Sequence, residues 1–232
     1  MKELYLCGRN SVIDAIKSNL QIKEIYTISK SHTDKLKEFS NYKIVVKDAK
    51  FFDDFSNENH QGYIAVLKNF PIYDLDTIKR DCPQNILILD HIQDPHNLGA
   101  IIRTTNAAGI KHLIIPVDRA ADITPTTLKI SSGGFVGLKI IKVKSIVATI
   151  EKLKKWGFWI YASTLASNSV PYNKIEYNKP TCLIVGNEET GISKSVENAA
   201  DQLIYIEQKG SVQSLNASVA TGILLFELIK ND

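Results

Sequence analysis

The sequence predicts an α/β fold with a mostly parallel sheet covered on both faces, preceded by a smaller α/β unit. Three observations carry this. Beyond residue 85, short apolar runs such as ILIL (86–89), HLIIPV (112–117) and TCLIV (181–185) alternate with segments of helical period. Strands that read as unbroken apolar runs are those buried on both faces, as in a parallel sheet flanked by helices. Residues 69–84 (NFPIYDLDTIKRDCPQ) hold two prolines and five charges and interrupt the pattern, so they read as a linker with room for one short helix. The first 70 residues have a hydrophobic pattern of their own. The expected division is therefore a unit over 1–70, a linker over 71–84 and a larger domain over 85–232.

In order, residues 3–20 read as a lead-in and a helix, with Val12, Ala15, Ile16 and Leu20 on one face after Gly8. Ile22–Ile28 alternates like a strand, 33–39 reads as a helix, 43–46 as a β-branched strand, 50–55 as a short helix and 63–67 as a strand. His60 and Gln61 precede Gly62, where they serve as a turn-stabilising pair or an RNA contact. In the larger domain, strands are expected at 86–89, 112–117, 138–143, 158–162, 181–185 and 202–206. Helices are expected at 98–108, 124–132, 145–156 and 193–200. The last is the apolar stretch after Gly210, with Leu215, Val219, Ile223 and Phe226 spaced to share one face.

Composition narrows the class without choosing it. The chain has 232 residues, 44% hydrophobic and 23% charged, as expected of a folded soluble protein of one or two domains. No apolar run approaches a membrane span, the start lacks a signal-peptide core, and a cytoplasmic location is expected. Cys7, Cys82 and Cys182 are widely spaced, with no Cys/His cluster, so reduced thiols and no metal are expected. A net charge of +3 permits nucleic-acid binding but does not argue for it.

Three polar segments fall at predicted strand ends, where open α/β sheets bind ligands. The first is DPHNLGA (94–100) with Arg103, in which Asn97 stands at a helix start and Arg103 lies six residues further on. The second is GNEETG (186–191), whose glycines allow a backbone to approach a ligand closely. It is no P-loop, because it lacks GK[ST] and its carboxylates repel phosphate. The third is GSVQSLNAS (210–218), which offers Ser211, Gln213, Ser214, Asn216 and Ser218 at a helix start. Each alone is also what a capped helix or an acidic surface turn looks like. The three together on one sheet point to a site.

LDHIQDPHNLGAIIRTTNAAG (89–109), LIVGNEETGIS (183–193) and IYIEQKGSVQSLNASVATGILLFE (204–227) resemble, in order and spacing, the three motifs of the SpoU/TrmH branch of the SPOUT methyltransferases. GRNSVIDAI and HQGYIA resemble that family's small substrate-binding domain, which is itself similar to ribosomal protein L30e. End to end, the chain is similar to the bacterial 23S ribosomal RNA guanosine 2'-O-methyltransferases. The resemblance implies an α/β domain with a trefoil knot at its C-terminal end, S-adenosylmethionine as cofactor, RNA as substrate, and a homodimer whose active site is completed across the interface. It implies catalytic roles for Asn97, Arg103, Glu188, Ser214 and Asn216. Cofactor contacts fall to Thr164, Gly186, Asn187, Ile206, Leu215 and Asn216. Two positions depart from the family's usual pattern: Glu189 stands where glycine follows the motif glutamate, and Glu207 where proline follows the last strand.

Methyl transfer to a ribose hydroxyl needs alignment and a way to lose the hydroxyl proton, but no metal. A guanidinium is essentially always protonated. Arg103 is therefore expected to hold a phosphate and stabilise a developing alkoxide, although the family's usual proposal makes this arginine the base. Rival expectations are a transfer RNA ribose methyltransferase, a non-catalytic ribosome-assembly factor and a generic nucleotide-binding enzyme, the last without its glycine fingerprint.

Overall fold

The computed structural model describes residues 4–39, 41–212, 214–230 and 232. Gln213, one of the polar residues of the third segment, lies outside them.

The first unit is a four-stranded sheet of β1 (Leu4–Cys7), β2 (Ile22–Thr27), β3 (Ile44–Val46) and β4 (Tyr63–Leu67) in the order β1-β4-β2-β3. All five residues of β4 are buried, which fits its place between two antiparallel neighbours. Helix α1 (Arg9–Lys17) buries Val12, Ala15 and Ile16, the face the spacing predicts. β1 was not expected: Leu4–Cys7 sits in what the sequence shows as a lead-in. The expected helix over 33–39 also differs. The Ser29 side chain accepts from His32 N and starts α2 (Lys30–Asp34) earlier, and a separate 3-10 turn follows at Lys37–Phe39. Helix α3 (Ala49–Asp53) is capped by Asp48. His60 acts within the turn, its Nδ1 accepting from Gly62 N at 2.9 Å, whereas Gln61 reaches the start of α1, its Oε1 accepting from Arg9 N at 3.3 Å.

The expected linker is built into the larger sheet. Residues 71–84 carry strand β5 (Ile72–Tyr73), which pairs with the sheet's edge, and helix α4 (Asp76–Asp81), whose Ile78 is fully buried. The rest follows the predicted alternation. Strands β6 (Asn85–Asp90), β7 (His112–Pro116), β8 (Lys139–Val143), β9 (Trp159–Ser163), β10 (Val170–Pro171), β11 (Thr181–Gly186) and β12 (Gln202–Tyr205) are interleaved with helices α5 (Pro95–Ala107), α6 (Pro125–Ser131), α7 (Ile146–Lys155), α8 (Lys194–Ala199) and α9 (Ala217–Leu228). The sheet order is β10-β12-β9-β11-β6-β7-β8-β5, and every pair is parallel.

The period-2 alternation of the strands feeds two cores. Leu87, Leu89, Leu113, Leu183 and Val185 face α5 and α9, in a cluster that runs on into the first unit. Ile86, Ile88, Ile114, Cys182 and Ile184 face α4, α7 and α8. The two units also meet through Lys129 of α6, which pairs with Glu58 at 2.7 Å.

Helix α9 corrects the sequence reading. It buries Ala217, Thr221, Leu224, Leu225 and Leu228 against α5 and β11. Val219 and Phe226, expected on the core face, are 51% and 53% exposed. The helix is apolar on nearly every side, so spacing alone does not choose its inner face. Between β12 and α9, Ile206, Gln208, Ser214 and Leu215 lie against a cavity shared with Ser163 at the end of β9 and with Val185 and Gly186 at the end of β11.

Candidate active site

At the end of β6 the chain leaves the sheet at Asp90, which is 1% exposed. Its carboxylate accepts from Ser193 N at 2.8 Å and from His91 Nδ1 at 2.5 Å. Helix α5 then starts with Asp94 as its cap, accepting from His96 N at 2.8 Å, and with Pro95 in the first turn, where a missing N–H costs nothing. Asn97, expected near the helix start, is therefore free of capping and turns inward, 8% exposed.

Asn97 joins the three motif segments. Its Nδ2 donates to Glu188 Oε1 in the β11–α8 loop, and its Oδ1 accepts from Asn216 Nδ2 at 2.9 Å. Asn216 is at the same time the cap of α9: its Oδ1 accepts from Ser218 N at 2.9 Å and Ser218 Oγ at 2.6 Å. A side-chain amide can donate and accept at once, and a carboxylate can only accept. That fixes the direction of the chain from Asn216 through Asn97 to Glu188.

The second loop is closed by its own backbone. Asn187 and Gly191 exchange N–H to O bonds of 3.0 and 2.9 Å. A Cβ on Gly186 would lie 2.3 Å from the Gly191 carbonyl carbon, so only glycine fits there. The Asn187 side chain is spent on the loop and its neighbour: Oδ1 accepts from Glu189 N at 2.9 Å and Thr190 N at 3.2 Å, and Nδ2 donates to the His91 carbonyl at 3.1 Å.

These loops surround a cavity of about 690 Å³ at the carboxyl ends of β9, β11 and β12. Of the residues expected to hold a cofactor, Thr164, Gly186, Asn187, Ile206 and Leu215 are on its wall, together with Glu188 and Ser214 from the catalytic set. Asn97 and Asn216 are not on the wall; they reach the site through their hydrogen bonds to each other and to Glu188. Arg103 stands apart. It is exposed on α5, and among the described residues it makes no hydrogen bond or ion pair to Asn97, Glu188 or Asn216. Its backbone is held by close packing: a Cβ on Gly134 would lie 2.5 Å from Arg103 Cα. Glu207 is exposed and off the cavity wall, whereas Glu189 is on it.

Sequence reasoning missed three contributors. Asp90 and His91 tie the first loop to the second. Gln208 lies on the wall with its Oε1 buried and, among the described residues, without a hydrogen-bond partner. No spacing or motif distinguishes Gln208; its role depends on the path of the chain between β12 and α9.

The wall suits an adenosyl group with a cationic tail. Leu165, Ile206, Leu215 and Ala217 give an apolar side, Gln208 leaves an acceptor in need of a donor, and Glu188 and Glu189 supply negative charge without a lysine or arginine among the lining residues. Among the described residues no cluster of three or more His, Cys, Asp or Glu is placed to hold a metal. No helix there is long and apolar enough to cross a membrane.

A parallel sheet with a glycine-closed acidic loop and the asparagine-capped helix α9 at its carboxyl end is the arrangement expected of a methyltransferase of the SPOUT type, which the three motifs resemble. The sequence pattern of the SpoU rRNA Methylase family matches residues 84–226, and that of the RNA 2'-O ribose methyltransferase substrate-binding domain matches residues 5–73. The chain belongs to the SpoU family and is an S-adenosylmethionine-dependent RNA methyltransferase. A Staphylococcus saprophyticus protein named for the TrmH family of tRNA/rRNA methyltransferases is 34% identical over 99% of this chain and 96% of its own length. The rRNA methyltransferase of Sinorhizobium meliloti is 26% identical and superposes with a TM-score of 0.84 over 98% of this chain and 87% of its own; it has also been solved with AdoMet bound. The A. aeolicus TrmH/SpoU tRNA modifying enzyme is 34% identical, with a TM-score of 0.58 over 67% of this chain and 81% of its own.

Proposed function

We propose that the chain methylates a ribose 2'-hydroxyl, and that its substrate is a guanosine of 23S ribosomal RNA. The observation that carries the reaction is the Asn216–Asn97–Glu188 relay at an acid-walled, cation-free cavity. A ribosomal substrate is supported by the match to the S. meliloti rRNA enzyme over 98% of the chain, against 67% for the tRNA enzyme. It is supported further by the substrate-binding pattern over 5–73.

S-adenosylmethionine supplies a methyl group on a sulfonium. The chain's task is to hold the acceptor oxygen in line with that methyl at about 3–3.5 Å. Thr164, Gly186, Ile206 and Leu215 hold the adenosyl side, largely with backbone atoms, since Gly186 and Ile206 have no polar side-chain atoms. Asn97, Glu188 and Asn216 keep the three loops in register, and Ser214 lines the acceptor side. Arg103 is solvent-facing and takes the RNA phosphate beside the target ribose, lowering the cost of negative charge on the 2'-oxygen.

The uncovered face of α9, with Val219 and Phe226 half exposed, supports a homodimer formed there. The placement of Ile206, Gln208, Ser214 and Leu215 against the same cavity as the ends of β9 and β11 supports the knotted end that the family resemblance implies.

Mass-spectrometric mapping of ribose methylation in RNA from a deletion strain tests the reading. One missing methyl in 23S ribosomal RNA, restored by the intact gene, is the expected result. A missing methyl in transfer RNA moves the substrate to the rival class, and an unchanged map overturns the assignment.

A further inference from the structure

The charge of the cofactor cavity is more one-sided than the reaction requires. Glu188 and Glu189 both line it, and no lysine, arginine or histidine is among the lining residues, although the whole chain carries a net charge of +3. The two carboxylates differ in what else they do. Glu188 accepts from Asn97 and belongs to the relay. Glu189 is exposed, and its backbone N–H is fixed by Asn187 Oδ1 at 2.9 Å, while no hydrogen bond or ion pair among the described residues engages its carboxylate. Its charge is thus a separable feature of this chain's site.

We propose that Glu189 makes the site discriminate between the methyl donor and its product by charge, favouring the cationic sulfonium over the neutral thioether. The inference rests on the donor being S-adenosylmethionine. In the transfer, the 2'-oxygen forms a bond to the methyl carbon, the carbon–sulfur bond breaks and its electron pair stays on sulfur. The hydroxyl proton leaves to solvent. The ligand in the cavity therefore loses one unit of positive charge, while its ammonium, carboxylate, ribose and adenine are unchanged.

A wall carboxylate such as Glu189 interacts with that difference wherever the sulfur sits. A cavity of this volume is on the order of 10 Å across, comparable with the screening length of roughly 8–10 Å at physiological salt. Unit charges roughly 6–8 Å apart at a solvent-open wall give a preference of about two- to sixfold. Glu189 thereby keeps the donor in preference to S-adenosylhomocysteine when both are present.

The test is calorimetric titration of the full chain with S-adenosylmethionine and, separately, with S-adenosylhomocysteine. Glu189→Gln, which keeps shape and backbone bonding, is expected to lower the ratio of donor affinity to product affinity by about two- to sixfold, and Glu189→Lys to lower it further. Raising salt to about 1 M, where the screening length is about 3 Å, is expected to erase the difference between Gln and wild type. Equal ratios in all three proteins, or an equal loss for both ligands, overturn the inference. Failure of the unaltered chain to bind either ligand overturns the donor assignment itself, and this inference with it. Circular dichroism melts of the three proteins guard against misfolding, since the substituted side chain is exposed.

Discussion

Asn97 makes two hydrogen bonds whose partners come from distant parts of the chain, Glu188 and Asn216. Replacing it by alanine leaves a carboxylate and an amide without their shared partner. A broken buried hydrogen-bond network of this kind costs about 1–3 kcal/mol. Asn97→Ala is therefore expected to lower the melting temperature and to weaken S-adenosylmethionine binding, because two wall segments lose their tie. Unaltered melting and unaltered calorimetric affinity would remove the relay from the argument. Arg103 predicts a different pattern, being exposed and off the cavity wall. Arg103→Ala is expected to leave cofactor affinity unchanged while turnover falls by about 10²–10³, the usual effect of losing one charge-stabilising donor. If instead cofactor affinity drops in step, Arg103 acts through the cofactor and not through the RNA. At this scale the sequence shows residue identities well and their division of labour poorly. Asn97 looks like a helix cap, but Asp94 is the cap, and that is why Asn97 is available to the site.

Elements were legible where one signal dominated. Buried runs such as Cys182–Val185 can be little other than interior strands, and all but two of the larger domain's strands follow the predicted pattern. The two-residue strands β5 and β10 have no periodicity to read, and they form only because the sheet offers an edge. Helix α9 fails for the opposite reason: it is apolar on too many sides. The loop of residues 186–191 gives a sharp test at this scale. Gly186→Ala places a methyl 2.3 Å from the Gly191 backbone, so the bridge between Asn187 and Gly191 must open. Cofactor binding is expected to be lost by calorimetry while the far-ultraviolet circular dichroism spectrum stays intact; full binding would mean the loop's closure is dispensable. The staple between α4 and β7 gives another. His112 is 3% exposed, with Nε2 on Asp81 Oδ2 at 2.7 Å. Burial pushes its pKa below the usual histidine value, against the opposing pull of Asp81. Between the folded and unfolded values the unfolded chain binds more protons, so stability rises with pH there and is lost on acidification below about 6.5. The drop in melting temperature between pH 7.5 and pH 5 is expected to be smaller in His112→Gln. An identical drop in both proteins would assign the acid sensitivity elsewhere.

At the scale of the molecule, the outer face of α9 is the feature that a single chain leaves unexplained. The helix is capped by Asn216, whose amide supports Asn97, and it carries Val219 and Phe226 half exposed. Gly222 faces α5 at Thr104, where an added Cβ would make only an ordinary contact, 3.6 Å from Thr104 Cγ2. A partner pressed onto the outer face would bury Val219 and Phe226 and at the same time hold the capped end of α9 against the site. Dimerisation and cofactor binding are then coupled through one helix. Phe226→Glu places a charge in the proposed interface without touching the buried Leu224, Leu225 or Leu228. It is expected to give a monomer in sedimentation equilibrium at concentrations where the unaltered chain is a dimer. Cofactor affinity should weaken along with it, and should recover in part at high protein concentration as residual dimer forms. A variant that stays dimeric places the interface elsewhere. A monomer that binds S-adenosylmethionine as tightly as the parent keeps the interface but cuts its link to the site, leaving Asn216 to hold α9 in place unaided.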